Sequence, residues 1–218
     1  MKNQEGSALI VRGQVVYVVE DEPAMREAVT TLLRSVDFDV CAFATAREFF
    51  ECSRPDVPSC LILDVRLQGQ SGLSVQDQIV ESGIDIPIIF MTAHGDIAMT
   101  VKAMKSGAAD FLAKPFRDQD LLDAVERALL TDESRRAKEH AFSRLRKRYE
   151  SLTPRERDII ALVASGLQNK QIAAHLGLSE ITVKVHRGHA MQKMDSRSIA
   201  DFVLKAKALG VAGGNERA

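Results

Sequence analysis

Five short apolar runs, each followed by a longer amphipathic stretch, fill the first 130 residues and constrain this chain more tightly than any other feature. The runs Val15–Glu20, Phe38–Phe43, Cys60–Asp64, Pro87–Thr92 and Asp110–Ala113 have strand length and are rich in β-branched and aromatic residues. The intervening stretches Pro23–Val36, Ala46–Cys52, Gly72–Ser82 and Ile97–Ser106, then Gln119–Leu130, have helical length and spacing. Parallel strands need a long crossover, usually a helix, so strict βα alternation predicts an α/β domain whose parallel sheet is covered by helices on both faces. Local punctuation agrees: Thr45 with Glu48 spells a capping box, and Pro23 stands where a first-turn proline is tolerated.

The pattern changes after Leu130. The segment TDESRRAKEHAFSRLRKRYES is dense in charge and has no Gly or Pro, which favours a helical linker over 131–150. Phe142, Leu145, Tyr149 and Leu152 form one apolar stripe on it, suited either to packing on the next domain or to a short dimer seam. A second domain over 151–209 opens with the capping box Thr153-Pro154-Arg155-Glu156 and continues as short helices. Gly166 and Gly177 read as stops, Ser179 and Ser196 as N-caps, and the tail from Gly210 as frayed.

Composition narrows the classes. Hydrophobic residues are 45% and charged residues 27%, ordinary for a globular chain and unlike a disordered or collagen-like one. The longest apolar runs fall far below the roughly 18 residues needed to span a bilayer, and MKNQEGSALIVRG lacks a signal-peptide core, so a cytoplasmic protein is expected. Cys41, Cys52 and Cys60 lack metal or disulfide spacing and read as small buried hydrophobes. The net charge of −1 hides a division: residues 1–130 carry 12 Lys and Arg against 20 Asp and Glu, and residues 131–218 carry 17 against 10. An acidic half and a basic half suggest different partners, the basic one a polyanion.

On the strand map Glu20, Asp21, Asp64, Thr92 and Lys114 all fall at or just beyond strand C-termini, where open α/β sheets bind ligands. Three carboxylates in one crevice repel unless a cation is held among them, and hard oxygen donors favour Mg²⁺. A lysine and a threonine beside such a metal suit a phosphoryl group, one as a point charge and the other as a hydroxyl donor.

The segments VVYVVEDEPAMRE, LILDVRL, IPIIFMTAHGD and GAADFLAKPF resemble the receiver domain of two-component response regulators over about residues 14–130. That resemblance implies a flavodoxin-like sheet of order 2-1-3-4-5, Asp64 as phosphoacceptor, and Mg²⁺ held by Glu20, Asp21, Asp64 and the backbone carbonyl of Arg66. It also implies that Lys114 holds the phosphoryl oxygens, that Thr92 moves toward them, and that Phe111 turns inward behind it. Two positions depart from the pattern: Glu20 stands where Asp is frequent, and Leu67-Gln68 stands where Met-Pro is common, adding an N–H to that loop.

In QNKQIAAHLGLSEITVKVHRGHAMQKM, a helix over Asn169–Leu176, the turn glycine Gly177 and a longer helix capped by Ser179 form a helix-turn-helix. On the second helix Thr182, Lys184, Val185, Arg187 and His189 alternate with the core candidates Ile181, Met191 and Met194. The N-terminal part of such a helix enters the major groove of double-stranded DNA. His186 and His189 have no partner cluster and do not suggest a metal.

This half resembles the LuxR-like effector domain, and the whole chain a transcriptional regulator of the FixJ/NarL type. By that resemblance Lys184, Val185 and Arg187 approach base edges, Arg187 being suited to guanine, while Asn169, Lys170, Thr182 and Lys193 lie at or near phosphates. Gly188 stands where some relatives carry a longer contacting side chain. The implied function is phosphorylation of Asp64 by a cognate sensor histidine kinase, dimerisation, and DNA binding that activates transcription, with the transcription machinery a further partner. The competing readings are a phosphorylation-independent pseudo-receiver and a haloacid-dehalogenase-like hydrolase. The latter usually needs a second Asp two residues after its nucleophile, where this chain has Arg66.

Overall fold

The computed structural model describes residues 13–93 and 97–211. The readings made on the N-terminal stretch, on 94–96 at the end of IPIIFMTAHGD and on the tail beyond residue 211 lie outside the described residues. The chain divides into two compact units between Arg136 and Ala137.

The first unit runs β1 (Val15–Val19), α1 (Pro23–Ser35), β2 (Asp39–Phe43), α2 (Ala46–Glu51), β3 (Ser59–Asp64), a short hairpin β4 (Arg66–Leu67) and β5 (Gln70–Ser71), α3 (Gly72–Glu81), β6 (Ile88–Thr92), α4 (Ile97–Lys105), β7 (Asp110–Ala113) and the start of α5 (Asp118–Glu150). The five-stranded sheet is parallel throughout, in the order β2-β1-β3-β6-β7. Leaving out the hairpin, this is the expected flavodoxin-like order, and four of the five helices fall within a residue of their expected bounds. The central strands are buried on both faces, which is why they read as unbroken apolar runs. Tyr17, Val19, Phe49, Leu61, Leu63 and Phe90 build the core on one face of the sheet. Val16, Val18, Leu33, Ile62, Ile89, Met91 and Leu121 build it on the other.

The antiparallel pair β4–β5 was not anticipated, because two-residue strands leave no periodicity to read. Gly69, with φ 84°, allows its tight turn. Helix α5 also differs, running unbroken from Asp118 to Glu150 where the sequence suggests a receiver helix and a separate linker. No Gly or Pro lies in that stretch to end it. On this helix Asp132 is fully buried, accepting the Ser59 N–H at 2.9 Å and pairing with Arg135 and Arg136, while Arg136 continues to Asp56 at 2.6 Å.

The second unit contains α6 (Pro154–Ala164), α7 (Asn169–Leu176), α8 (Glu180–Lys193) and α9 (Ile199–Ala208) around Ile159, Ile160, Ile172, Val183, Met194 and Phe202. Leu145, Tyr149 and Leu152 pack on this core, but Phe142, the fourth member of their stripe, is 48% exposed. The Thr153/Glu156 capping box is complete, and Ser179 caps α8. Ser196 is not an N-cap. Its N–H bonds Met191 O at 2.8 Å and closes the end of α8 around the left-handed Asp195, so α9 is capped by Ser198. Ile181 is not core either: Val183, Ala190 and Met194 set the buried face of α8, and Ile181 points away from it.

Asp132→Ala leaves two arginines and the Ser59 amide without their shared acceptor, and is expected to cost the first unit about 3–5 kcal/mol. Urea unfolding of the full chain measures this, and Asp132→Asn, which retains an acceptor oxygen, is expected to lose less.

Candidate functional site

The register of the parallel strands assembles the site. Asp64 ends β3 and Thr92 ends β6, with Thr92 paired to Ala113 so that Lys114 follows directly alongside. The Lys114 N–H donates to Thr92 O at 2.7 Å, and the Val65 N–H to Met91 O at 2.9 Å, which locks the three strand ends together. Glu20 follows β1, tied by its N–H to Phe43 O at 3.2 Å.

Between these ends, Lys114 Nζ donates to Glu20 Oε2 at 2.6 Å and to Asp64 Oδ2 at 2.7 Å. Glu20 and Thr92 are fully buried and Asp64 nearly so. Burial pushes the Glu20 carboxyl up, and the neighbouring Asp64 charge adds to this against the pull of Lys114. At Lys114 burial works to lower the ammonium, but the two carboxylates more than reverse it and hold it above its ordinary value.

Glu20, Asp21 and Asp64 each offer a carboxylate oxygen within 4.8 Å of the others. Three converging oxygen donors facing one ammonium leave an excess of negative charge, and that donor set fits a hard divalent cation such as Mg²⁺.

The surrounding backbone holds these carboxylates in place. The Arg66 N–H donates to Asp64 Oδ1 at 2.9 Å. The Gln68 N–H donates to Asp21 Oδ2 at 3.1 Å, a bond that proline at this position could not make. The departure at Gln68 thus gives Asp21 a partner.

Two residues were missed by sequence reasoning. Arg26 Nη1 binds Glu20 O at 2.7 Å and Asp21 O at 3.2 Å, fixing the loop that carries both acids. Gly72 packs so closely that an added Cβ would sit 2.4 Å from Asp64 O. In the sequence it is only the first residue of a helix, and the three-dimensional approach alone reveals the packing role. Phe111, on the edge strand β7, is half-buried with its ring centroid 6.4 Å from that of Phe90.

In the second unit, Lys170, Lys184 and Val185 are exposed, as the helix-turn-helix pattern leads one to expect. Thr182 Oγ1 lies 2.8 Å from Ser179 Oγ at the start of α8. Arg187 and Asn169 are joined to each other, Nη1 to Oδ1 at 2.9 Å, bridging α8 to the first residue of α7. Lys193 Nζ reaches the buried Glu156 at 2.7 Å. Burial alone raises the Glu156 carboxyl, but Lys193 and the Thr153 N–H outweigh it and hold it below its usual range.

Residues 16–126 match the response regulator receiver domain, and residues 150–206 match the luxR family of bacterial regulatory proteins. The chain is 54% identical to nodulation protein W of Bradyrhizobium diazoefficiens, over 91% of this chain and 87% of that one. It is 45% identical to response regulator protein TodT of Pseudomonas putida, over 88% of this chain and 85% of that one. The structure of response regulator StyR superposes with a TM-score of 0.81 at 46% identity, covering 89% of this chain and 98% of that one. The chain belongs to the transcriptional response regulators of two-component systems, built from a receiver domain and a LuxR-type DNA-binding domain. A histidine kinase and DNA are the partners that this pair of domains implies. Among the described residues, no helix is long and apolar enough to cross a membrane.

Glu156 contributes stability that is fully present above its unfolded-state pKa and lost as pH falls through its lower folded value. Acidification below the usual carboxyl value of 4.5 is therefore expected to destabilise the second unit. Glu156→Gln is expected to lack this acid-dependent component and to be about 1–3 kcal/mol less stable at neutral pH, measured by urea titration across pH.

Proposed function

We propose that this protein accepts a phosphoryl group on Asp64 from a cognate sensor histidine kinase and in that state binds promoter DNA as a dimer, activating transcription. The observation that carries this reading is the contact of Lys114 Nζ with both Asp64 and Glu20 at the C-terminal edge of the parallel sheet. In the transfer, an Asp64 carboxylate oxygen forms a bond to phosphorus as the P–N bond to the kinase imidazole breaks, the electron pair leaving with the ring nitrogen. Lys114, already bonded to Asp64, passes to the new phosphoryl oxygens and compensates their charge. Glu20, Asp21, Asp64 and the backbone carbonyl of Arg66 would hold Mg²⁺, which when bound would supply charge neutralisation to the transferring group.

Thr92 turns its hydroxyl to a phosphoryl oxygen, and Phe111 follows inward toward Phe90, changing the surface at β7 that a second copy meets. The functional divisions are a receiver over 14–130, a helical linker over 131–150 and a DNA reader over 151–209. Lys184 and Val185 face base edges, while Arg187, held by Asn169, braces the reading helix against α7. Asn169, Lys170, Thr182 and Lys193 lie near phosphates, in a half of the chain that is net basic over residues 131–218. One short helix makes few base contacts, so pairing two readers raises the effective concentration at the second half-site and gains on the order of 10² in affinity. Access to promoter DNA places the protein in the cytoplasm.

Intact mass after incubation with Mg²⁺ and a small acyl phosphate, followed by the cognate kinase, tests the phosphoryl step. One phosphoryl group is expected on the wild type and none on Asp64→Asn. Equal uptake by both would move the acceptor elsewhere, and no uptake with the kinase would reject the reading.

A further inference from the structure

Helix α8 presents a side that the fold does not use. Val183, Ala190 and Met194, each fully buried, define its inward direction. At about 100° per residue, Ile181, Val185, Gly188 and Gln192 lie on the opposite side, with Lys184 and His189 flanking them. Arg187, tied to Asn169, stands close to the buried side instead.

The N-terminal half of this outward stripe is apolar. Ile181 is 76% exposed and Val185 49% exposed, one helical turn apart, with Lys184 beside them. An isoleucine this exposed stabilises nothing in the fold, and a polar residue would serve the helix as well. Gly188, one turn further along, is exposed and helical, and an added Cβ would meet nothing within 4 Å. Glycine inside a helix is unfavourable relative to alanine, so neither packing nor propensity accounts for it.

Charge indicates the occupant. Glu180 is the single acid on α8, whereas Lys184, Arg187 and Lys193 are cationic, in a part of the chain that is net basic. A narrow apolar strip beside the exposed Lys184, presented at a helix N-terminus in a net basic part of the chain, matches the major groove, where the 5-methyl group of thymine is the apolar feature on an otherwise polar, anionic surface.

We infer that Ile181 reads a thymine methyl group in the major groove, extending the surface of Lys184 and Val185, while Gly188 keeps the next position bare so that α8 seats close to the bases. This rests on the reading of α8 as the DNA-reading helix. It adds a specificity residue outside the set that the sequence pattern supplies, and makes the preferred half-site thymine-containing where α8 begins.

The test uses the full-length protein with Mg²⁺ and an acyl phosphate throughout. A pool of random 20-base-pair duplexes is enriched for binding, and the enriched duplex is resynthesised with each thymine in turn replaced by uracil, which removes only the methyl group. The wild type is expected to lose about fourfold in affinity at one thymine per half-site, the value of about one buried methyl or methylene group. Ile181→Ala is expected to bind the unmodified duplex about fourfold more weakly and to be indifferent to uracil at that step, while Val185→Ala keeps the sensitivity there. Alanine is the stronger helix former, so the Ile181→Ala melting curve should match or exceed that of the wild type. Wild-type affinity in Ile181→Ala, or an undiminished uracil penalty at every thymine, overturns the inference while leaving α8 as the DNA reader. Failure of the wild type to enrich any duplex overturns both.

Discussion

Lys114 placed between Glu20 and Asp64 is the interaction on which the first unit's chemistry depends. Two carboxylates this deeply buried cannot both remain charged without a cation, and the ammonium at 2.6 and 2.7 Å supplies one. The parallel sheet makes the meeting possible, because β1, β3, β6 and β7 all end at the same edge. With Asp21 added, three acids face one lysine, and the cluster retains negative charge for a divalent ion to neutralise. On the proposed reading the same lysine then meets the incoming phosphoryl oxygens. Rigidity at this edge comes from backbone contacts: Arg26 on the Glu20 and Asp21 carbonyls, Gln68 on the Asp21 carboxylate, and Gly72 against Asp64 O.

On the proposed reading, the second unit separates its structural and recognition tasks on a single helix. One side of α8 packs into the core through Val183, Ala190 and Met194, while Lys193 anchors it to the α6 capping box through Glu156. Arg187 braces it against α7 through Asn169. What remains outward is short, apolar at Ile181 and Val185, and bare at Gly188. A protein core would have no reason to leave such a strip exposed, and on the inference above a thymine methyl group is what it reads.

Most of the fold was legible because its signals are local. Strands buried on both faces appear as continuous apolar runs, and helix starts carry their capping residues, as at Thr45, Thr153 and Ser179. The acidic cluster was legible because topology alone brings strand ends together. What the sequence concealed depends on side-chain direction or close approach. The α8 face was misjudged at Ile181 because hydrophobicity was taken as burial, whereas periodicity from Val183 places Ile181 outward. Ser196 was mistaken for an N-cap because its N–H already serves the preceding helix. Arg26 and Gly72 gave no compositional signal, since one acts through carbonyl groups and the other through a missing Cβ.

The central claim is that the charge cluster around Asp64 controls the DNA reader, and the affinity of the full chain for one duplex, with and without an acyl phosphate in the presence of Mg²⁺, tests it most directly. The account predicts that binding by the wild type tightens on phosphorylation, accompanied by a doubling of mass in light scattering, while Asp64→Asn binds weakly in both conditions. Equal affinity of the two proteins under phosphorylating conditions would contradict it.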